Sequence, residues 1–226
     1  MKQKLFFIAA TVLISGSAIA QSAFEGFYGQ LGIGYSTNSY ASSGSSNDTW
    51  PVFSGTTVSY VNWPQSSSAS SQGGFAGTAT LGFNALVNKD FLLGAGVEYS
   101  LPSAKSNVTV TNVSGPNTPS GNAGQWNTRN TYNLFVTPGL VINKDSLAYL
   151  KMGYTGTQIY GTSSDGNGSQ NLYGYSLGAG YKQIISGNIY GFAELNYFKY
   201  NTYSDGSGAS LGVSTTNALV GLGYKF

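Results

Sequence analysis

Apolar residues recur at every second position along most of this chain, and this pattern constrains the fold more than any other feature. It fills segments of about ten residues, the length that a tilted β-strand needs to cross a bilayer. In the first segment, 27–35, the odd positions carry Phe27, Leu31 and Tyr35, and most even positions are small or polar. One face of each strand is therefore predicted to meet lipid, and the other to line a barrel interior.

Eight segments share this pattern, and two kinds of connection join them. The segments are 27–35, 75–83, 91–99, 132–142, 148–154, 173–181, 189–197 and 218–226. Short turns rich in Asn, Asp and Gly, which suit tight hairpins, lie at 88–90, 143–145 and 186–188. Long polar stretches join the other pairs, at 36–74, 100–128, 156–171 and 201–212. This arrangement predicts an all-β fold, an eight-stranded antiparallel up-and-down transmembrane β-barrel.

Two features fit this barrel less simply. Pro138 lies inside the fourth segment, and we expect a bulge there because a closed barrel has no edge strand to hold a proline. The loop segments 58–61 and 108–110 also alternate. Because no tight turn follows them, we interpret them as strand extensions beyond the membrane rather than as additional spanning strands.

The N-terminus has the three parts of a secretory signal peptide. Lys2 and Lys4 precede an apolar run at 5–14, and Ala18 and Ala20 form a small-residue cleavage site. The apolar run is too short to cross a bilayer as a helix. We therefore expect a cleavable signal peptide over residues 1–20 and a barrel domain over residues 21–226.

The charge content argues against nucleic acid as a partner. Charged residues make up 8% of the chain, against about 25% in soluble domains. Without Lys2 and Lys4 the ten basic residues fall to eight, which equals the eight acidic residues. A neutral mature chain has no basic surface for a nucleic acid.

The chain contains no His and no Cys, which argues against enzymatic activity. Histidine is the usual general base near neutral pH, and a nucleophile needs such a base or a lowered pKa. Asp48, Asp165 and Asp205 occur singly in separate loops, so no metal site is expected. We predict a protein without catalytic residues, metal or cofactor.

Charged residues on the strands fall on the face assigned to the interior. They are Glu98, Arg129, Lys151, Lys182 and Glu194. Glu98, Lys151 and Glu194 are each a similar distance from a short turn, which predicts one buried ion-pair cluster, with Arg129 nearer the outer mouth. The cluster is either a structural plug or a gate around a narrow water path. Inward glycines leave space for water or for neighbouring aromatic rings, and the sequence leaves both open.

These features together resemble the small eight-stranded outer-membrane barrels, the family of the OmpA membrane domain, OmpX and the opacity-type surface proteins. The most specific element is the C-terminal alternation of Val220, Leu222, Tyr224 and Phe226, which resembles the signal read by the barrel-assembly machinery. The charges at Glu98, Arg129, Lys151 and Glu194 are similar to the family's interior salt-bridge cluster. The resemblance implies a monomer in the cell outer membrane of a Gram-negative bacterium, surrounded by lipid and lipopolysaccharide.

The long loops provide the candidate contact residues. They are rich in Ser, Gly, Asn and Tyr and contain Trp50, Trp63 and Trp126, a composition that antibody paratopes also use. We predict a non-enzymatic protein for envelope integrity, adhesion or ligand contact through four long extracellular loops. The alternative is a narrow, porin-like passive pore for small solutes or ions. The sequence does not identify an extracellular ligand or surface.

Overall fold

The regular structure of this chain consists of β-strands. A computed structural model describes residues 22–43, 45–68, 72–101, 111–112, 125–163, 166–204 and 210–226. The strands are β1 (Gly26–Ser43), β2 (Ser45–Ser54), β3 (Thr57–Ser68), β4 (Gln72–Leu86), β5 (Phe91–Leu101), β6 (Thr111–Asn112), β7 (Gln125–Asn143), β8 (Ser146–Ser163), β9 (Gly166–Ser186), β10 (Ile189–Tyr200), β11 (Tyr203–Ser204) and β12 (Ser210–Lys225). No helix in these ranges is long and apolar enough to cross a membrane.

Eight of these strands form a closed barrel. They pair antiparallel in the order β1, β4, β5, β7, β8, β9, β10 and β12, and β12 pairs back onto β1. Closure gives every barrel strand a hydrogen-bonded neighbour on both sides, so the barrel has no free edge. The predicted eight-stranded up-and-down fold is confirmed.

The side chains alternate between the two faces as the sequence predicts. Leu31 and Leu150 on the outside are 67% and 58% exposed, whereas Leu92 and Tyr190 on the inside are buried. The exposed apolar residues form the outer wall of the barrel, which is the surface that contacts lipid in a membrane-spanning barrel.

The short turns form where the sequence places them, and side chains and glycine stabilise them. The Asn88 Oδ1 atom accepts hydrogen bonds from the backbone N–H groups of Asp90 and Phe91, and Asn143 Oδ1 accepts one from Asp145. In the third turn Gly187 has a φ of 54°, which glycine adopts without steric cost.

The stretch 156–171, predicted as a long loop, is instead mostly the paired ends of two strands. The ladder between β8 and β9 continues from Ser146 opposite Gln183 to Ser163 opposite Gly166. Sequence alternation ends sooner because an outward face above the membrane meets water and no longer needs apolar residues. The backbone ladder persists there because its hydrogen bonds do not depend on side-chain polarity.

The stretch 36–74 contains a separate β-hairpin, which corrects the interpretation of 58–61 as an extension of a barrel strand. β2 and β3 pair with each other from Ser45 opposite Ser66 to Ser54 opposite Thr57. The tight turn precedes the segment 58–61 at Gly55, whose φ is 62°. The other alternating loop segment, 108–110, lies outside the described residues.

The bulge expected at Pro138 is absent, and two irregularities of β7 lie elsewhere. Pro138 is opposite Leu93 of β5. On the β8 side the register is the same at Val136 and at Gly139, so no residue is inserted at the proline. The register of β7 against β8 shifts between Arg129 and Tyr132 and again between Val141 and Asn143. A proline lacks only the N–H donor, so one strand can lose a ladder bond without changing register.

Candidate functional site

Three charged side chains meet inside the barrel, and we call Glu98, Lys151 and Glu194 the charge triad. The Lys151 ammonium lies 2.6 Å from Glu98 Oε2 and 3.0 Å from Glu194 Oε2. Each of the three side chains is at most 2% exposed. The residues come from β5, β8 and β10. Their side chains point inward because each lies on the strand face that carries the buried residues. In a buried ion pair of this kind, loss of one partner leaves an uncompensated charge.

Neutral side chains donate further hydrogen bonds to the two carboxylates of the triad. Glu194 Oε1 accepts hydrogen bonds from Tyr149 Oη at 2.5 Å and from Gln30 Nε2 at 3.1 Å. Glu194 Oε2 also accepts a bond from Asn196 Nδ2 at 3.1 Å, and Thr80 Oγ1 donates to Glu98 Oε2 at 3.2 Å. Within the described chain Glu98 Oε1 has no hydrogen-bond partner. The carboxylates are therefore held in fixed positions by several strands.

A second buried lysine lies in a cage of tyrosine rings. The Lys182 ammonium is 3.8 Å from the centre of the Tyr28 ring, 5.0 Å from that of Tyr190 and 5.2 Å from that of Tyr149. Cation–π attraction reaches roughly 2 kcal/mol per contact when the groups are desolvated. The sequence places Lys182 inside but does not indicate this cage. The only available signal is that Tyr28, Tyr149 and Tyr190 interrupt the small or polar pattern of inward positions.

Aromatic rings occupy the spaces beside several inward glycines. The Tyr190 ring lies across Gly223, the Phe192 ring across Gly221 and the Tyr149 ring across Gly180. A Cβ atom added to Gly221 would lie 2.6 Å from Cε1 of Phe192. Of the two alternatives that the sequence leaves open, the structure shows packing of large neighbours beside these glycines.

Buried residues occupy the turn end of the described interior, and a small cavity lies at its other end. Near the short turns Phe24 is buried, and its carbonyl oxygen accepts a hydrogen bond from Asn84 Nδ2 at 2.8 Å. At the opposite end, the outer mouth, a cavity of about 50 Å³ lies among residues that include Thr78, Thr131 and Asn217. Since one water needs roughly 10–15 Å³ of such volume, this cavity holds only a few waters.

Arg129 lies at the outer mouth, where the sequence places it and where it borders the outer-mouth cavity, but its side chain is exposed, which corrects the prediction that it faces the interior. It lies just before a bulge in which Asn130 has a φ of 52°. The inserted residue reverses the inside–outside alternation on its N-terminal side. Arg129 is therefore exposed, is paired with Gln158, and has its guanidinium carbon 5.2 Å from the centre of the Tyr160 ring.

The tip of hairpin β2–β3 exposes apolar side chains. Phe53 and Tyr60 are each 72% exposed, and Val52 and Val58 are also exposed. Trp50 lies on β2, Trp63 on β3 and Trp126 at the start of β7. The side chains of these three tryptophans lie outside the described part of the structure.

The remaining predicted sites are at the chain ends. Val220, Leu222, Tyr224 and Phe226 all point outward and are between 47% and 71% exposed. The Phe226 N–H donates to the Phe27 carbonyl at 2.9 Å, so the C-terminus continues the ladder onto β1. Ala18 and Ala20 lie outside the described residues. Among the described residues no group of three or more His, Cys, Asp or Glu side chains is placed to hold a metal ion.

A closed barrel with an apolar outer wall and a polar, charged interior defines a membrane-spanning β-barrel protein. The family described as "Outer membrane protein beta-barrel domain" matches residues 6–226. The chain belongs to this family and is an outer-membrane protein of the Gram-negative type. A search of curated proteins found no match.

Three solved structures of outer-membrane barrels match this chain. Neisserial surface protein A has a TM-score of 0.50 and 12% identity, and the match covers 89% of this chain and 98% of that one. OprG from Pseudomonas aeruginosa has a TM-score of 0.49 and 12% identity, and the match covers 89% of this chain and 96% of that one. Ail, the attachment invasion locus protein of Yersinia pestis, has a TM-score of 0.41 and 16% identity, and the match covers 88% of this chain and 99% of that one. At these identities the likeness concerns the fold alone.

Proposed function

We propose that this outer-membrane barrel is a non-enzymatic, monomeric surface-interaction protein that contacts a partner through hairpin β2–β3. The exposed apolar tip of this hairpin carries the proposal. Residues 49–64 contain no charge, and contiguous exposed apolar surface of this kind usually marks an interaction site. The absence of His and Cys from the sequence supports a role without catalysis.

Four apolar residues of the tip share one face of the hairpin, and Val52 lies on the other face. Phe53 is opposite Val58 and Pro51 is opposite Tyr60, so all four side chains point to the same side. Transfer of one such large apolar side chain from water into a partner interface contributes roughly 1.5–3 kcal/mol. This face is therefore sufficient for a specific contact of moderate affinity.

The geometry of β2 favours side-chain contact over addition of a partner strand. β2 is the edge strand of its sheet, which has the order β2, β3, β6 within the described residues. Pro51 lacks a backbone N–H donor, and proline on an edge strand is a common device against strand addition. The partner that fits is a protein surface with an apolar patch that packs against Phe53 and Tyr60.

Adhesion of cells that display the chain tests this proposal. We expect cells with the wild-type chain to bind epithelial monolayers several-fold better than cells without it. The triple variant Phe53→Ser, Val58→Ser, Tyr60→Ser should lose at least about tenfold in partner affinity, because 1.4 kcal/mol corresponds to one factor of ten. Its adhesion should return to background.

Val52→Ser is the matched control, because Val52 points to the opposite face of the same hairpin. It should retain wild-type adhesion. Equal adhesion of the triple variant and the wild type, at equal surface amounts, would refute the hairpin as the contact site. Loss of adhesion in Val52→Ser alone would refute the assignment of the contact to the Phe53 face.

Conductance in a planar bilayer separates this proposal from the narrow-pore alternative. We expect no steady openings from the mature chain, because buried side chains fill the described interior at the charge triad. We also expect none from Lys151→Ala, because the aromatic rings beside the inward glycines remain. Steady wild-type openings that grow in Lys151→Ala would instead support a gated water path.

A further inference from the structure

We propose that the outer wall of the barrel carries a binding pocket for the saccharide headgroup of an outer-leaflet glycolipid. The pocket has a volume of about 350 Å³ and is lined by Tyr99, Asn130, Tyr132, Thr157, Gln158, Asn171 and Tyr173. Known ligand pockets have volumes of roughly 300–1,000 Å³. The site is separate from the hairpin and from the charge triad.

Tyrosine rings form the floor of the pocket. Tyr99 is opposite Tyr132 across β5 and β7, and Gly156 is opposite both Tyr132 and Tyr173. The Tyr132 ring lies over Gly156, where an added Cβ would be 2.6 Å from the ring. Because Gly156 has no side chain, the Tyr132 ring can lie over it. Tyr99, Tyr132 and Tyr173 therefore form a row of aromatic residues across four strands. Such surface packs against the C–H face of a sugar ring.

Amide side chains form the rim of the pocket. Asn130 Oδ1 accepts a hydrogen bond from Tyr99 Oη at 3.1 Å, and Asn130 Nδ2 donates to Gln158 Oε1 at 3.3 Å. These bonds fix the positions of Asn130 and Gln158. Gln158 Nε2 and the Asn171 amide make no hydrogen bond with another residue in the part of the chain that the structure describes. They provide donors and an acceptor for sugar hydroxyls.

The bulge at Asn130 also places a cation next to this pocket, although Arg129 itself does not line it. Arg129 is paired with Gln158, which lines the pocket. The described ion pairs involve only the charge triad, so no described carboxylate neutralises Arg129. An exposed guanidinium is suited to a phosphate group because its donors match two phosphate oxygens. A phosphorylated saccharide therefore fits better than a neutral one.

The height of the pocket on the barrel indicates a lipid as the source of the saccharide. Between the pocket and the short turns, the outward faces of β7, β8 and β9 carry Leu134, Met152 and Leu177. These are exposed apolar residues of the outer wall. Tyrosines at the upper edge of such a band lie at the level of lipid headgroups. A glycolipid can place its acyl chains against the apolar wall and its sugar in the pocket.

Calorimetric titration of the refolded chain in detergent micelles tests this site, with lipopolysaccharide as the probe. The double variant Gln158→Ala, Asn171→Ala should bind at least about tenfold more weakly than wild type, and Arg129→Gln about threefold more weakly, as expected for lost hydrogen bonds and a lost charge. Thr216→Ala is the control, because Thr216 is exposed on β12 and outside the pocket. Its affinity should stay within about twofold of wild type.

Each of these binding measurements can overturn a part of the proposal. Equal affinity of the double variant and the wild type would overturn it, as would a loss in Arg129→Gln alone, because saccharide recognition would then be absent. The core oligosaccharide without acyl chains should bind the same site more weakly; equal binding would overturn the lipid source. If the double variant does not give strand-rich circular dichroism, Asn171→Ala alone should still weaken binding by about threefold.

Discussion

Replacing Lys151 with methionine lowers the free energy of unfolding of the barrel by about 3–5 kcal/mol. The substitution removes the only described cation paired with Glu98 and Glu194, and both carboxylates are almost completely buried. Two buried negative charges then remain close together without a cation in contact with either of them. Urea unfolding in detergent micelles, followed by circular dichroism, measures the loss.

The matched control removes the carboxylate charges together with the lysine. In the triple variant Glu98→Gln, Lys151→Met, Glu194→Gln no buried charge of the triad remains, and such replacements are often close to neutral. We expect its unfolding free energy to lie within about 1–2 kcal/mol of wild type. A loss below about 1 kcal/mol in the single variant would contradict the interpretation of the triad as a buried ion pair.

Replacing Tyr190 with alanine should lower the free energy of unfolding by about 3–5 kcal/mol, the usual result for a buried aromatic side chain. Tyr190 is 2% exposed, its ring lies across Gly223, and its hydroxyl donates to Gln30 Oε1 at 3.2 Å. It also forms one wall of the cage around the Lys182 ammonium. The same unfolding experiment measures the change.

Tyr181 offers a control of identical chemistry on the opposite face of the barrel. It is 41% exposed and points outward, so Tyr181→Ala should cost about 1 kcal/mol or less. Similar losses in the two variants would show that the inward rings are not what fills the interior. A loss confined to Tyr190→Ala supports a packed interior and therefore a barrel without an open water path.

The two proposed functions use surfaces that are separate from the interior of the barrel. The hairpin tip exposes Phe53 and Tyr60 beyond the barrel, and the saccharide pocket lies on the outer wall at Asn130. Neither site uses a residue of the charge triad. Variants of each surface are therefore expected to change binding without changing the stability that the interior provides.

Several properties followed from the sequence because they depend on neighbouring residues only. Period-two alternation determined which residues face outward, such as Leu31 and Leu150. Asn88, Asn143 and Gly187 determined the three short turns, because their side chains or backbone freedom favour tight hairpins. Alternation also placed Glu98, Lys151, Lys182 and Glu194 inside, since the side-chain direction of a strand residue is set by its parity.

Other properties required the pairing of distant strands. The inserted residue at Asn130 reversed the parity of Arg129 and moved its guanidinium outside, which no count of positions along β7 reveals. The hairpin of β2 and β3 was missed because the alternation at 58–61 was interpreted as the extension of a barrel strand. The pairing of β3 with β2 follows from the register of the two arms, which lie on either side of the turn at Gly55.

The sequence by itself thus determined the strands, the short turns and the face of most side chains, because local periodicity and turn chemistry specify them. Only the tertiary structure decided which inward residues touch. Lys151 meets both carboxylates, Lys182 meets three tyrosines, and rings from one strand fill the space beside glycines of the next. The physical reason is that the height of a residue in a closed barrel depends on the stagger of all eight strands together.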